Sequence, residues 1–131
     1  MDIQYSTDMI DYLYEDGDRD YVLFGQIISI VSYDREDHPF NKTDKQILID
    51  SINLTKYLVS TGDFNIGKTI KTSDNNFSYI ILNMDDFIKQ VEQEFKKSGV
   101  KGEIHYVFWL KKLNKNKRTL DIPDSIRNLF V

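Results

Sequence analysis

Residues 43–62, TDKQILIDSINLTKYLVSTG, run directly into residues 63–82, DFNIGKTIKTSDNNFSYIIL, and the change of period between them decides the fold. Thr43 is a hydroxyl N-cap. Ile47, Leu48, Ile52, Thr55, Leu58 and Val59 recur at helical spacing, so 44–60 reads as an amphipathic helix that stops at Gly62. Beyond it the period drops to two. Phe64, Ile66 and Lys68, Ile70 alternate, as do Phe77, Tyr79 and Ile81, and Ser73-Asp74-Asn75-Asn76 supplies turn chemistry between them. That pattern is a β-hairpin.

Upstream, Thr7 is expected to cap a short helix that runs to Tyr14 through Met9, Ile10 and Leu13, and Glu15-Asp16-Gly17-Asp18 to end it. Asp20 would cap a second segment in which Phe24, Ile27, Ile28 and Val31 keep helical spacing. The Val and Ile content leaves residues 21–33 open between helix and strand. Tyr33 to Asn41 is polar, contains Pro39 and reads as a loop.

Downstream, Asn83 with Asp86 three residues later opens a helix to about Lys97 whose inner face is Phe87, Ile88, Val91 and Phe95. From 103 to 113, Ile104, Tyr106, Phe108 and Leu110 alternate with His105, Val107 and Trp109, which predicts a central strand with two apolar faces. Asn114-Lys115-Asn116-Lys117 would turn the chain and Thr119 to Ile122 pair back. Pro123 fits the first turn of a closing helix that carries Ile126, Leu129 and Phe130. The class is α+β: a single domain, 1–131, with N-terminal helices packed on a small, mostly antiparallel sheet.

The chain has no cysteine, which excludes disulfides, zinc ribbons and thiol nucleophiles. Met1-Asp2-Ile3-Gln4 lacks the basic and apolar regions of a secretory leader, and no apolar run approaches the roughly 20 residues that span a bilayer. A cytoplasmic protein away from membranes is expected. The net charge of −4 is unevenly spread. Residues 1–40 carry ten acids against Arg19 and Arg35, while residues 41–131 carry eleven acids against fifteen bases. Such polarity acts on partner steering.

Gly62-Asp63-Phe64-Asn65-Ile66-Gly67-Lys68-Thr69 matches the phosphate-binding pattern GxxxxGK[ST], but that mechanism needs a strand before the loop and a helix opening at the lysine. Here a helix precedes Gly62, and poor helix formers follow Thr69. The expected reading is a helix-ending glycine followed by a strand with Gly67 at a bulge or turn, and no enzyme. Asp16, Asp18 and Asp20 occupy positions 1, 3 and 5 of a calcium-loop pattern, yet Tyr21 stands where glycine is required and Ile27 where the bidentate glutamate is. No metal or cofactor is expected. His38 and His105 read as surface or core residues rather than catalysts. Lys96, Lys97, Lys101, Lys111, Lys112, Lys115, Lys117 and Arg118, interleaved with Tyr106, Phe108 and Trp109, form a nucleic-acid pattern that the acidic pI of about 5.1 opposes. A winged-helix regulator would place 44–60 in a major groove, where Asp44 and Asp50 repel phosphate. The favoured site is an acidic protein-binding surface made of Glu15, Asp16, Asp18, Asp20, Asp34, Glu36 and Asp37.

The element order, with the long helix ending Lys56-Tyr57-Leu58-Val59-Ser60-Thr61-Gly62, a short hairpin, the Phe87-to-Phe95 helix and an aromatic strand with Trp109, resembles small bacterial immunity proteins. These are encoded beside contact-dependent growth-inhibition, or polymorphic, toxins. The resemblance implies a protein that binds and blocks a toxin domain, commonly a nuclease, whose basic surface an acidic inhibitor complements. An inhibitor of a host defence protein, carried by a phage or mobile element, would share that electrostatic logic.

Overall fold

The computed structural model describes residues 2–119 and 121–131. It is an α+β structure in which helices pack on a four-stranded antiparallel sheet. In chain order the elements are α1 (Ile3–Arg19), β1 (Val22–Leu23), α2 (Phe24–Ser32), α3 (Asp44–Ser60), β2 (Phe64–Ser73), β3 (Asn76–Ile81), α4 (Met84–Ser98), α5 (Ile104–Val107), β4 (Phe108–Lys112) and α6 (Asp124–Arg127). The strand order is β1-β4-β2-β3, so β4 is central and β3 forms an edge.

The decisive stretch folds as its pattern dictates. Thr43 caps α3, and Gln46 completes a capping box. Leu48, Ile52, Thr55 and Leu58 are buried, joined by Ser51 and Leu54. The helix ends before Gly62, whose φ of +80° suits glycine. β2 and β3 form the expected hairpin, with Thr69 opposite Tyr79 and a register shift between Lys71 and Ser73. Asn83 caps α4, which buries Phe87 and Val91.

Several expectations are corrected. Asp2, not Thr7, caps the first helix, accepting from the Tyr5 amide at 2.9 Å. The acidic run Glu15-Asp16-Gly17-Asp18 does not stop it but forms its last turn. Asp20 closes α1 and does not open α2; at the start of α2 the Gln26 side chain instead accepts from the Leu23 amide at 2.8 Å. Residues 21–33 divide into the two-residue β1 and helix α2. The 103–113 strand is shorter than its alternation suggests: Ile104–Val107 is a helical turn, and Ile104 and Phe108, four apart, are both fully buried. Of the expected strand 119–122, Thr119, Asp121 and Ile122 lie in no strand, and Leu120 lies outside the described residues. Pro123 sits at the N-cap of α6, just before its first turn.

One core unites the layers. Phe108 meets Phe24 of α2 and Phe87 of α4 edge to face, and Phe64 meets Tyr14 of α1 at 5.0 Å between centroids. Lys42, nearly buried, ties three segments: its ammonium donates to the carbonyls of Val31 and Leu129 and pairs with Asp50 at 2.9 Å. Among the described residues no helix is long and apolar enough to cross a membrane.

Candidate functional site

The acidic residues singled out by sequence fall into two groups at opposite ends of α1, whose 17 residues extend about 25 Å. At the far end, Asp16 accepts from the Gln26 side chain, and Asp18 accepts from the Lys112 ammonium at 2.8 Å and the Asn116 amide at 3.0 Å. The bond from Lys112 and then that from Asn116 hold the Asp18 carboxyl below its usual range. Asp20 is exposed, as is Glu15, which pairs with no cation among the described residues. At the near end, Asp34 folds its own loop, accepting from the amides of Glu36 and His38 at 2.8 and 2.9 Å. Glu36 and Asp37 are exposed at the loop tip, Asp37 with a φ of 62°.

The structure therefore separates two kinds of carboxylate that sequence cannot tell apart. Asp16, Asp18 and Asp34 hold the fold, and Glu15, Asp20, Glu36 and Asp37 remain facing solvent. Other acids on α1 are also spent. Arg35 pairs with Asp2 and with Asp8, the latter at 3.1 Å, and Arg118 pairs with Asp11. Two of the ten acids in the first forty residues, Asp11 and Asp18, are thus paired with cations of the basic end.

Asp63 is the deepest node of that closure, with 1% of its side chain exposed. Its Oδ2 accepts from the Tyr14 hydroxyl at 2.7 Å and from the Thr119 amide and hydroxyl at 3.0 and 2.8 Å, with the Lys117 ammonium 3.6 Å from Oδ1. Burial pushes the Asp63 carboxyl up, but the bonds from Tyr14 and Thr119 and the charge of Lys117 together hold it below its usual value. The Tyr14 phenol, desolvated and bonded to that carboxylate, is pushed up to about 12.

The GxxxxGK[ST] segment runs as Gly62 in a turn followed by strand β2, and no helix opens at Lys68. Gly67 is in regular pairing, not at a bulge, opposite both Ile81 and Trp109. The Lys68 ammonium donates to Gln90 at 2.8 Å, and the Thr69 hydroxyl accepts from the Trp109 indole N–H at 3.0 Å. Of the three aromatics of the basic C-terminal pattern, Phe108 is fully buried and Trp109 is stacked on Tyr21 at 4.6 Å, which leaves Tyr106 alone exposed. The calcium-pattern residues Asp16 and Asp18 are helical, and among the described residues no three acids or histidines are grouped to hold a metal.

Sequence reasoning missed the open side of the sheet. The helices pack on the face that carries Phe64 and Phe108, whereas Phe77, Tyr79 and Ile81 project from the other, each more than half exposed. The alternation of those three was visible, but the hairpin pattern does not say which strand ends as an edge. Compared with protein-family models, characterised proteins and solved structures, the chain shows no significant match.

Proposed function

We propose that the protein acts by binding another protein, as a cytoplasmic immunity-type inhibitor that covers a toxin domain with a basic, nuclease-like surface. The observation that carries this reading is the set of carboxylates that the fold leaves exposed: Glu15 and Asp20 at one end of α1, Glu36 and Asp37 at the other. Ten acids lie in the first forty residues; Asp2, Asp8, Asp11 and Asp18 pair with cations and Asp16 and Asp34 accept from amides, while these four face outward. Charges so placed raise the rate of encounter with a basic partner and fix its orientation.

The test uses the toxin domain encoded next to this chain in its genome of origin. The parent should bind it and protect cells that express it. Combined Glu15→Lys, Asp20→Lys, Glu36→Lys and Asp37→Lys should slow association by at least about tenfold at low salt, with an unchanged melting temperature. If the parent does not bind, the inhibitor reading fails; if the charge-reversed chain associates as fast as the parent, the acidic site fails.

A further inference from the structure

We propose that two copies of this chain pair through the free edge of β3, extending the four-stranded sheet into an eight-stranded one across a two-fold axis at Tyr79. The pairing pattern shows which groups the edge offers. The Leu82 amide donates to the Ile66 carbonyl at 2.9 Å, just beyond the Gly67–Ile81 pair. In an antiparallel ladder the bonded pairs alternate, so Lys68–Ile80 and Ile70–Ser78 exchange bonds within the hairpin. The main-chain N–H and C=O groups of Phe77, Tyr79 and Ile81 then point away from β2.

Strand edges of this kind are normally guarded by lysine, proline, a bulge or a cover. β3, Asn76-Phe77-Ser78-Tyr79-Ile80-Ile81, has no charge and no proline, and the register shift lies in β2 beyond Lys71. The opposite edge, β1, has only two residues. The exposed side chains of the same three residues, at 59%, 62% and 56%, make the edge apolar on one face.

A second copy fits because the edge is self-complementary. With the axis at Tyr79, Tyr79 faces its own counterpart and Phe77 faces Ile81 in both directions. This is the one antiparallel two-fold register in which all three outward-facing residues are bonded, with two bonds in each pair. Every cross-strand pair on the open face is then aromatic or branched apolar, the combinations that stabilise sheets. The nearest charges lie beyond the ladder, Asp74 in the hairpin turn and Asp85 in the first turn of α4. The pairing leaves Glu15, Asp20, Glu36 and Asp37 out of the seam, so the proposal stands or falls independently of the inhibitor reading.

The lack of native cysteine makes a clean test possible. Tyr79→Cys should give a covalent dimer under mild oxidation, because bonded antiparallel pairs hold their Cα atoms about 5.5 Å apart, within disulfide reach. Lys45→Cys, exposed on α3, should not. Sedimentation of the parent from about 10 to 300 µM should show a monomer–dimer equilibrium, as expected for a small interface. Ile81→Lys, which sets a charge opposite Phe77, and Tyr79→Pro, which removes an outward N–H but no bond to β2, should shift the midpoint at least about tenfold. A parent that stays monomeric throughout overturns the proposal, including the case in which β3 amides become protected only when a different protein binds. So does a dimer that both variants leave intact, or a Lys45→Cys chain that crosslinks as well as Tyr79→Cys.

Discussion

Gly67 lies beneath the indole of Trp109, so close that a Cβ built on it would stand 2.2 Å from the ring's Cη2 and 2.6 Å from the Ile80 carbonyl oxygen. The glycine that completes the apparent phosphate-binding pattern is thereby explained as room for a tryptophan. Gly67→Val should cost about 2–3 kcal/mol, seen as a fall in melting temperature of roughly 8–12 °C with a red-shifted Trp109 emission. A Gly67→Val chain as stable as the parent would remove that explanation.

Asp18 and Glu15 lie three residues apart on α1 and should respond oppositely. Asp18→Ala removes the carboxylate from the Lys112 ammonium, whose side chain is 2% exposed, and leaves it the Asn114 carbonyl and the face of Tyr14. Its melting temperature should drop clearly, whereas Glu15→Ala should stay within about 1–2 °C of the parent. Thermal denaturation of both, with partner affinity measured alongside, separates structural from recognition carboxylates.

Alkali should weaken the fold before it ionises Tyr14. Its folded pKa lies above the ordinary phenol value, so it contributes stability that is fully present below pH 10 and lost as pH rises toward about 12. Burial raises Tyr5 and Tyr57 in the same direction. Tyr14→Phe should cost about 1–2 kcal/mol at neutral pH through the lost bond to Asp63, and urea midpoints from pH 9 to 12 should fall less steeply than in the parent.

Acid acts through the opposite sign. Asp63, Asp18, Asp34 and Asp8 all sit below their usual values, so their contribution is present above about pH 4 and disappears as pH falls through the lower folded values. Far-UV circular dichroism should show an acid transition below pH 4, shifted to higher pH in 1 M salt if the ion pairs Asp18–Lys112 and Asp8–Arg35 carry it.

Arg127 donates from Nη1 to the Ile3 carbonyl and to the hydroxyls of Ser6 and Thr7, at 3.1, 2.8 and 2.9 Å. Arg127→Ala should speed amide exchange in the first two turns of α1 by about tenfold and leave α3 unchanged.

What was legible in the sequence were the elements whose determinants are local. α3 carries its cap, stripe and stop within twenty residues, and the hairpin carries its turn between its strands. The end of α1 is hidden because Glu15-Asp16-Gly17-Asp18 looks like a loop until its remote partners are known. Gln26 and Lys112 satisfy the carboxylates, and a Cβ on Gly17 would come within 2.9 Å of Phe64. The same long-range pairing hid half of the candidate acidic site, since no local signal marks Asp18 as a partner of Lys112 and Glu15 as free. Ile104 to Val107 alternates like a strand, yet the burial of Ile104 and Phe108 one helical turn apart is equally consistent with that order of residues.

The pairing of α1 with the basic end also has a temporal side. Asp18 waits for Lys112, 94 positions later, and Ser6 waits for Arg127, 121 positions later. During synthesis α1 emerges well before these partners and must persist without them until the basic segment has followed. Contacts so distant in sequence slow folding. Nascent chains that stall before Lys112 should therefore present α1 as an unpaired acidic amphipath to chaperones, and the fold should lock only after the basic end has left the ribosome.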